Sequence, residues 1–515
     1  MVAALLSIAL LTLGWGLYRA RPYQPTTLLP WLQSVVLFSP WLVLLALPYF
    51  GIIPNLAIIL LLIVVSIGLY IFLGSRLRLI VEQNPAIDAA DLERSPVTPE
   101  AEATGLKNSR LDKTDAAIAS AAAQTGDGES ASKRTPDKGT EPAFPPIPEA
   151  DLAEIRTIFG IDTFFSTESI PYQSGAIFKG NLRGEDPQQT HRILSERLTE
   201  RMGDRYRLFL LMGPEDKPVV IVLPRSSDPP KSSPMQWVFS LLLLAATIAT
   251  SLEAAGILQG FDFFNSPERF SESWPIAFAI IAILVAHEAG HWVWARRNDV
   301  WLSPPFFIPA WQIGSFGALT RFESILPNRS VLFDIAFAGP AAGAALSLGF
   351  LLTGLALSHP GSAFQIPAQF FQGSILVGSL ARLFIASGLQ QPLVDIHPLT
   401  IIGWLGLVIT AINVMPAGQL DGGRIVQAIY GRKVARTTTI ATLVVLAIAT
   451  LANPLALYWA IVILFLQRDL ERPSLEELTE PNDIRAALGL FLLFFTAAVL
   501  LPLPPSLAGR LGIGG

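Results

Sequence analysis

The chain has 515 residues, of which 51% are apolar and 15% charged, with a net charge of −5. Soluble domains carry about 25% charged residues, so this composition, with a mean hydropathy of +0.49, requires that much of the surface be hidden in lipid. The acidic balance excludes a chain-wide basic face for nucleic acid. There is no cysteine, which excludes disulfides, thiolate nucleophiles, iron–sulfur clusters and cysteine-type zinc sites.

In chain order, the first apolar run covers 2–18 and is followed, not preceded, by Arg19 and Arg21. A cleaved signal peptide has the opposite charge order, so the run reads as a retained anchor. Runs at 34–50 and 53–74, broken at Gly51-Ile-Ile-Pro54, suit a tight hairpin. Further runs lie at about 235–258, 273–295, 332–357, 398–415, 437–452, 454–467 and 484–503. A span needs about 20 apolar residues, so about ten candidates result and several are short. The expected fold is mainly α: a polytopic transmembrane bundle of about 8–10 helices with a small α+β soluble insert. Arg19/Arg21, Arg76/Arg78, Arg296/Arg297 and Arg432/Lys433/Arg436 fall on one side of an alternating path, whereas the 259–272 loop is acidic. The positive-inside rule puts the basic loops and the polar insert on the cytoplasmic or stromal side.

The organisation expected is N-terminal membrane helices over 1–78, a linker over 79–149, a soluble module over 150–228 and a membrane core over 229–515. Residues 92–148 are rich in Ala, Ser, Thr, Asp, Pro and Lys with almost no aromatics, a composition that cannot bury enough apolar surface to order itself. The module reads βαββ: strands at Gly175–Phe178, Tyr206–Met212 and Val219–Leu223, with an amphipathic helix over Pro187–Met202. His191, among Arg and Glu on that helix, reads as a solvated surface residue.

The run Ile280–Arg297 contains His287-Glu288-Ala-Gly-His291. On a helix, residues four apart share a face about 6 Å apart along the axis. Two imidazoles so placed grip one metal ion, and the glutamate beside the first reaches a water as general base. Each ionisable residue at bilayer depth costs roughly 2.5–3.5 kcal/mol, so three in one apolar stretch point to function rather than to a structural histidine pair. His291 lies five residues before Arg296, about 7–8 Å from the interface. A catalytic zinc takes three protein ligands. Here the third cannot be cysteine, and His359 and His397 flank runs on the far side. Asp421, in Asn413-Val-Met-Pro-Ala-Gly-Gln-Leu-Asp421-Gly-Gly423, is the best-placed acid, because helix-breaking residues at that depth surround a cavity. Asp334 competes, but reads better as a helix N-terminal charge facing the dipole.

These two motifs, HExxH at 287–291 and NxxPxxxxDG at 413–422, resemble the signatures of the site-2 proteases, intramembrane zinc metalloproteases. Ala336-Phe-Ala-Gly-Pro-Ala-Ala-Gly343 is similar to the family's small-residue helix, in which Gly339 and Gly343 allow close packing. Gly180-Asn-Leu-Arg-Gly184 and the stretch from Pro309 to Ser330 resemble the plastid and cyanobacterial branch, the ethylene-dependent gravitropism-deficient and yellow-green proteins. The resemblance covers about 150–500. It implies one zinc ion per chain held by His287, His291 and Asp421, Glu288 as the proton carrier, and Asn413 near the substrate carbonyl. It implies hydrolysis of peptide bonds in or near a transmembrane helix of a membrane-protein substrate, in plasma or thylakoid membrane, with the site near the cytoplasmic or stromal face. The PDZ domain that many members carry between the two motifs does not fit between 297 and 398.

Residues 303–330 are too broken for a span. Gly314, Phe316 and Gly317 lie in an extended stretch that reads either as a re-entrant hairpin whose edge binds an unwound substrate, or as a plain interfacial loop. Two rival functions remain: a metal transporter, which would spread ionisable residues along a path, and a non-catalytic scaffold built around the soluble module.

Overall fold

The computed structural model describes residues 147–513, apart from 173, 214–215, 386–387, 451–453 and 465–468, and a few isolated positions before 147. The expected spans at 2–18, 34–50 and 53–74 and the linker at 79–149 lie outside the described residues, save those positions and 147–149. The chain divides into two units, Met1–Ala117 with Leu443–Leu466, and Ile118–Thr442 with Gln467–Gly515. The second unit holds most of the described residues.

The soluble module opens with helix α1 (Glu149–Arg156), then strands β1 (Phe164–Tyr172) and β2 (Gly175–Leu182), helix α2 (Pro187–Met202), and strands β3 (Tyr206–Met212) and β4 (Pro218–Pro224). The sheet is antiparallel with order β1-β2-β4-β3. It is therefore ββαββ, one strand more than the sequence pattern suggests. β1 escapes that pattern because it is an edge strand: Ser166, Thr167, Glu168 and Ser169 interrupt the apolar alternation, and the register shifts between Ser166 and Glu168. β3 and β4 read as unbroken apolar runs because both faces are covered. Leu208, Leu210, Val220 and Val222 pack with α2 residues Leu194 and Leu198; Phe209, Leu211, Ile221 and Leu223 pack with Ile325 and Leu475. The N-terminus of α2 is held by Asp186, whose side chain accepts from the Gln188 N–H.

His191 departs from its expected place. Its Nε2 lies 3.0 Å from the Leu208 carbonyl and 3.3 Å from Ser195 Oγ, so it is half-buried against β3 and bonded. Burial holds its pKa below the ordinary value.

Four described helices are long and apolar enough to cross a membrane: α3 (Pro234–Leu258), the Pro267–Arg297 stretch containing α4 (Phe270–Arg297), α5 (Arg329–Leu357) and α10 (Asp483–Leu500). Between α4 and α5 lies the hairpin β5 (Phe306–Ala310) and β6 (Gly314–Leu319). After α5 come β7 (Phe364–Pro367), α6 (Ile375–Phe384) and β8 (Leu393–Ile396), with β7 and β8 paired. α7 (Pro398–Asn413) follows, then α8 (Asp421–Ala449), which bends at Gly431, and α9 (Pro454–Val462); α11 (Pro505–Arg510) closes the described chain.

α4, α5 and α7 pack together because their facing residues are small. A Cβ on Gly290 would stand 2.4 Å from the Ala338 carbonyl oxygen, and one on Gly403 would stand 2.3 Å from the Leu351 nitrogen. Backbones that approach this closely gain dispersion contacts, which replace the hydrophobic drive that lipid removes. The segment after α9 crosses back over this core. The Leu475 N–H donates to the Leu326 carbonyl, and the Leu475 carbonyl accepts from Leu210 of β3. One strand-like stretch thereby ties the sheet of the module to the entrance of α5.

Candidate metal centre and its surroundings

His287 and His291 project from α4, and Asp421 opens α8. Their donor atoms meet. His287 Nε2 lies 3.1 Å from Asp421 Oδ2, His291 Nε2 lies 3.4 Å from Asp421 Oδ1, and the two Nε2 atoms are 3.2 Å apart. All three residues are under 9% exposed. A tetrahedral zinc with bonds of about 2.0–2.1 Å puts its ligand atoms about 3.3–3.4 Å from one another, so the spacing fits that ion to within a few tenths of an ångström. The protonation pattern agrees. His291 Nδ1 donates to the Ile335 carbonyl at 2.8 Å, which leaves a lone pair on Nε2. Two ring nitrogens and a carboxylate converge on one point, a donor set that suits a divalent cation.

Local sequence explains the placement. On α5, Gly339 faces His291, where a Cβ would stand 2.1 Å from Nε2, and Gly343 faces His287, where it would stand 3.1 Å from Nδ1. The small residues of that helix thus make room for the imidazoles themselves. Asp421 is aimed by the loop before it: a Cβ on Gly422 would stand 1.8 Å from the Val414 carbonyl oxygen. Only glycine lets the chain fold back tightly enough after the end of α7.

Glu288 and Asn413 line a cavity of about 20 Å³ with His291, Asp421, Thr320 and Arg424. That is room for about one water. Thr320, just past β6, donates its hydroxyl to Glu288 Oε2 at 2.7 Å. Asn413 Nδ2 donates to the Ile409 carbonyl at 3.0 Å. Gly317 of β6 has φ +111 and would place a Cβ 2.9 Å from Asn413 Nδ2. The stretch at 303–330 is thus a hairpin whose β6 end enters the site. Gly314 does not join it: its carbonyl accepts from Thr250 of α3 at 2.6 Å, and its Cα faces Ser251 and Ile280.

The other candidates lie elsewhere. Asp334 forms a two-pronged ion pair with Arg485 of α10, at 2.7 and 2.8 Å, so a cation on a neighbouring helix, rather than the helix dipole, balances it. The His359 ring turns to the Pro360 carbonyl, and His397 caps α7 by accepting from the Leu399 N–H. Three further residues of the site are not among those singled out from the sequence: Thr320, Arg424 and Glu471. Arg424 is the one that could have been found, since a buried arginine at membrane depth is rare.

Comparison with known proteins shows the family. "Peptidase family M50" matches residues 275–452, and "EGY3 middle domain" matches 153–230, the soluble module. "Probable zinc metalloprotease EGY2, chloroplastic" of Oryza sativa subsp. indica is 40% identical over 368 residues, covering 70% of this chain and 67% of that one. The Arabidopsis thaliana protein of the same name is 39% identical over 375 residues, covering 71% and 67%. "Probable zinc metalloprotease EGY1, chloroplastic" of Arabidopsis thaliana is 36% identical over 408 residues, covering 71% and 74%. The chain belongs to the M50, or site-2 protease, family. It is a multi-pass membrane zinc metalloprotease, and its relatives are those of the plastid branch. No solved structure matches.

Proposed function

We propose that His287, His291 and Asp421 hold the zinc ion of this site-2 protease and that Glu288 is its proton carrier, acting on a membrane-protein substrate whose transmembrane helix has been locally unwound. One observation carries this reading. The two Nε2 atoms lie 3.2 Å apart and 3.1–3.4 Å from the two oxygens of Asp421, and Glu288 shares a one-water cavity with His291 and Asp421.

A zinc ion held there lowers the pKa of water and polarises the scissile carbonyl. Glu288 takes the proton of the attacking water and returns it to the leaving amine. Thr320 fixes Oε2 of that carboxylate, so Oε1 is the oxygen that receives the proton. Asn413 has one amide N–H committed to Ile409 and offers the other to the carbonyl oxygen as negative charge develops. The substrate enters as an extended strand along β6, which pairs only with β5 among the described strands; Phe316 and Gly317 lie at the register shift of that hairpin, where the Gly317 N–H and carbonyl meet the Ser315 hydroxyl, and Gly314 anchors it to α3. An extended segment exposes its peptide bonds, whereas a helix shields them.

The site opens towards the cytoplasmic or stromal face of a plasma or thylakoid membrane. Arg296 lies over the Trp301 ring at 4.2 Å and over Trp292 at 5.5 Å, and Arg297 lies over Trp294 at 5.0 Å. Such Trp/Arg clusters mark the membrane–water interface, about 7–8 Å along the helix from His291.

The test compares wild type with Glu288→Gln, both full length and in detergent, for bound zinc and for cleavage of a helix-destabilised single-pass substrate. Zinc near one per chain in both, with cleavage down by about 10²–10⁴-fold in the variant, is the expected outcome. Cleavage that persists in Glu288→Gln removes the assigned role; wild type without zinc removes the ligand set.

A further inference from the structure

Arg424 and Glu471 form a buried ion pair that the chemistry above does not use. Both residues are under 9% exposed. Arg424 donates from Nε to Glu471 Oε2 at 3.0 Å, and its Nη2 lies 3.0 Å from the same oxygen. Burying such a pair is costly and is rarely a net gain in stability, so its presence beside a reaction centre calls for another reason.

The remaining contacts of Arg424 supply one. Nη2 also donates to the main-chain carbonyl of Thr320 at 2.8 Å, and Thr320 is the residue whose hydroxyl holds Glu288. The guanidinium stacks over the Phe322 ring at 4.9 Å. It therefore grips the chain just past β6 from two sides. Glu471 is equally well seated: its N–H donates to Gln427 Oε1 at 3.0 Å and its carbonyl accepts from Gln427 Nε2 at 3.0 Å. Four residues on, Leu475 bonds to both Leu326 and the Leu210 strand of the soluble module. The stretch that seats Glu471 is thus pinned at both ends.

We propose that Arg424, oriented by Glu471, is a positioning residue: it clamps the end of β6 through the Thr320 carbonyl and so aims the Glu288 carboxylate at the reacting water. This rests on the role given to Glu288 above. Arg424 borders the one-water cavity, but its Nε and Nη2 are committed to Glu471 and the Thr320 carbonyl. Arg424 Nη1 also lies 3.9 Å from Asp421 Oδ1, so a rival role, support of the metal ligand, has to be separated from the clamp.

The experiment uses full-length, zinc-loaded protein in detergent with the single-pass substrate, and follows bound zinc, kcat, KM and amide hydrogen exchange over 314–322. Arg424→Lys keeps the charge but loses the fork that spans Glu471 and Thr320; Glu471→Gln keeps the shape but loses the charge. Either variant is expected to retain about one zinc per chain and a KM within about threefold, to lower kcat by about 10–100-fold, and to speed exchange in 314–322. Thr320→Val retains the gripped carbonyl and removes only the hydroxyl, so it should lower kcat without faster exchange, and Thr320→Ser should restore kcat. Unchanged kcat and exchange in both Arg424→Lys and Glu471→Gln overturns the clamp. Loss of zinc in step with activity also overturns it, in favour of ligand support. Glu288→Gln is run alongside: if it still cleaves, the role of Glu288 fails, and that failure is distinct because exchange over 314–322 reports the grip of Arg424 whatever carries the proton.

Discussion

Gly339 and His291 are set so close that a Cβ on the glycine would stand 2.1 Å from Nε2 of the ring. The glycine is therefore part of the metal centre without supplying a donor atom. Gly339→Ala should displace the His291 ring and weaken zinc binding by at least about 10–100-fold, the scale of losses around metal ligands. Gly349→Ala, on the same helix with nothing within 4 Å of its Cβ position, should leave zinc content unchanged. Equal zinc in the two variants, measured by atomic emission, contradicts the packing described.

Two aspartates at similar depth should behave differently. Asp421→Asn removes the anionic donor that faces both imidazoles and should leave purified protein well below one zinc per chain. Asp334→Asn weakens the pair with Arg485 and should lower the thermal transition while zinc content holds. A strong chelator should abolish cleavage by wild type, and added zinc should restore it.

Gly317 faces two obstacles to a side chain, a φ of +111 and the amide of Asn413 at 2.9 Å. Gly317→Ala should cut kcat/KM by at least about tenfold while zinc stays bound, because the β6 end and Asn413 must shift apart. Gly361 shares a positive φ, +87, but has open space around it. Gly361→Ala carries the conformational strain alone, about 1 kcal/mol, and should leave cleavage intact. Steady-state kinetics on the two variants separates crowding from strain.

The soluble module should lose stability in mild acid through His191. Burial holds this ring below its ordinary pKa of 6.5, so between the folded value and 6.5 the unfolded chain binds the proton that the folded one refuses. Stability then rises with pH in that window, is complete above about 6.5, and falls as pH drops below it. Glu477, whose carboxyl burial pushes up, contributes in the opposite sense, because its share of stability is lost as pH rises through its folded value. Hydrogen exchange of the α2 amides, corrected for intrinsic rates, should show extra opening at pH 5.5 relative to pH 7.5 in wild type, and less of it in His191→Gln. An acid loss of equal size in both proteins assigns the effect to another group.

Much of this protein is legible in its sequence because two constraints act locally. Lipid forces long apolar runs, so α3, α4, α5 and α10 announce themselves by length and composition. The i, i+4 geometry of a helix puts His287 and His291 on one face, and the broken stretch Asn413–Gly423 at the same depth marks where a third donor belongs. The βα part of the soluble module is visible for similar reasons, since β3 and β4 are covered on both faces and read as unbroken apolar runs.

Other features are decided only in three dimensions. β1 looks polar because it is a sheet edge. His191 sits among charged neighbours in sequence, yet turns to the Leu208 carbonyl, because the helix face that meets β3 depends on the sheet order. Asp334 finds Arg485, 151 residues away, and Thr320 finds Glu288, 32 residues away. A sequence pattern records which side chains a helix or strand must hide. It does not record which carbonyl, guanidinium or glycine the neighbouring element brings to meet them, and in this protein those meetings aim the ligands and the proton carrier.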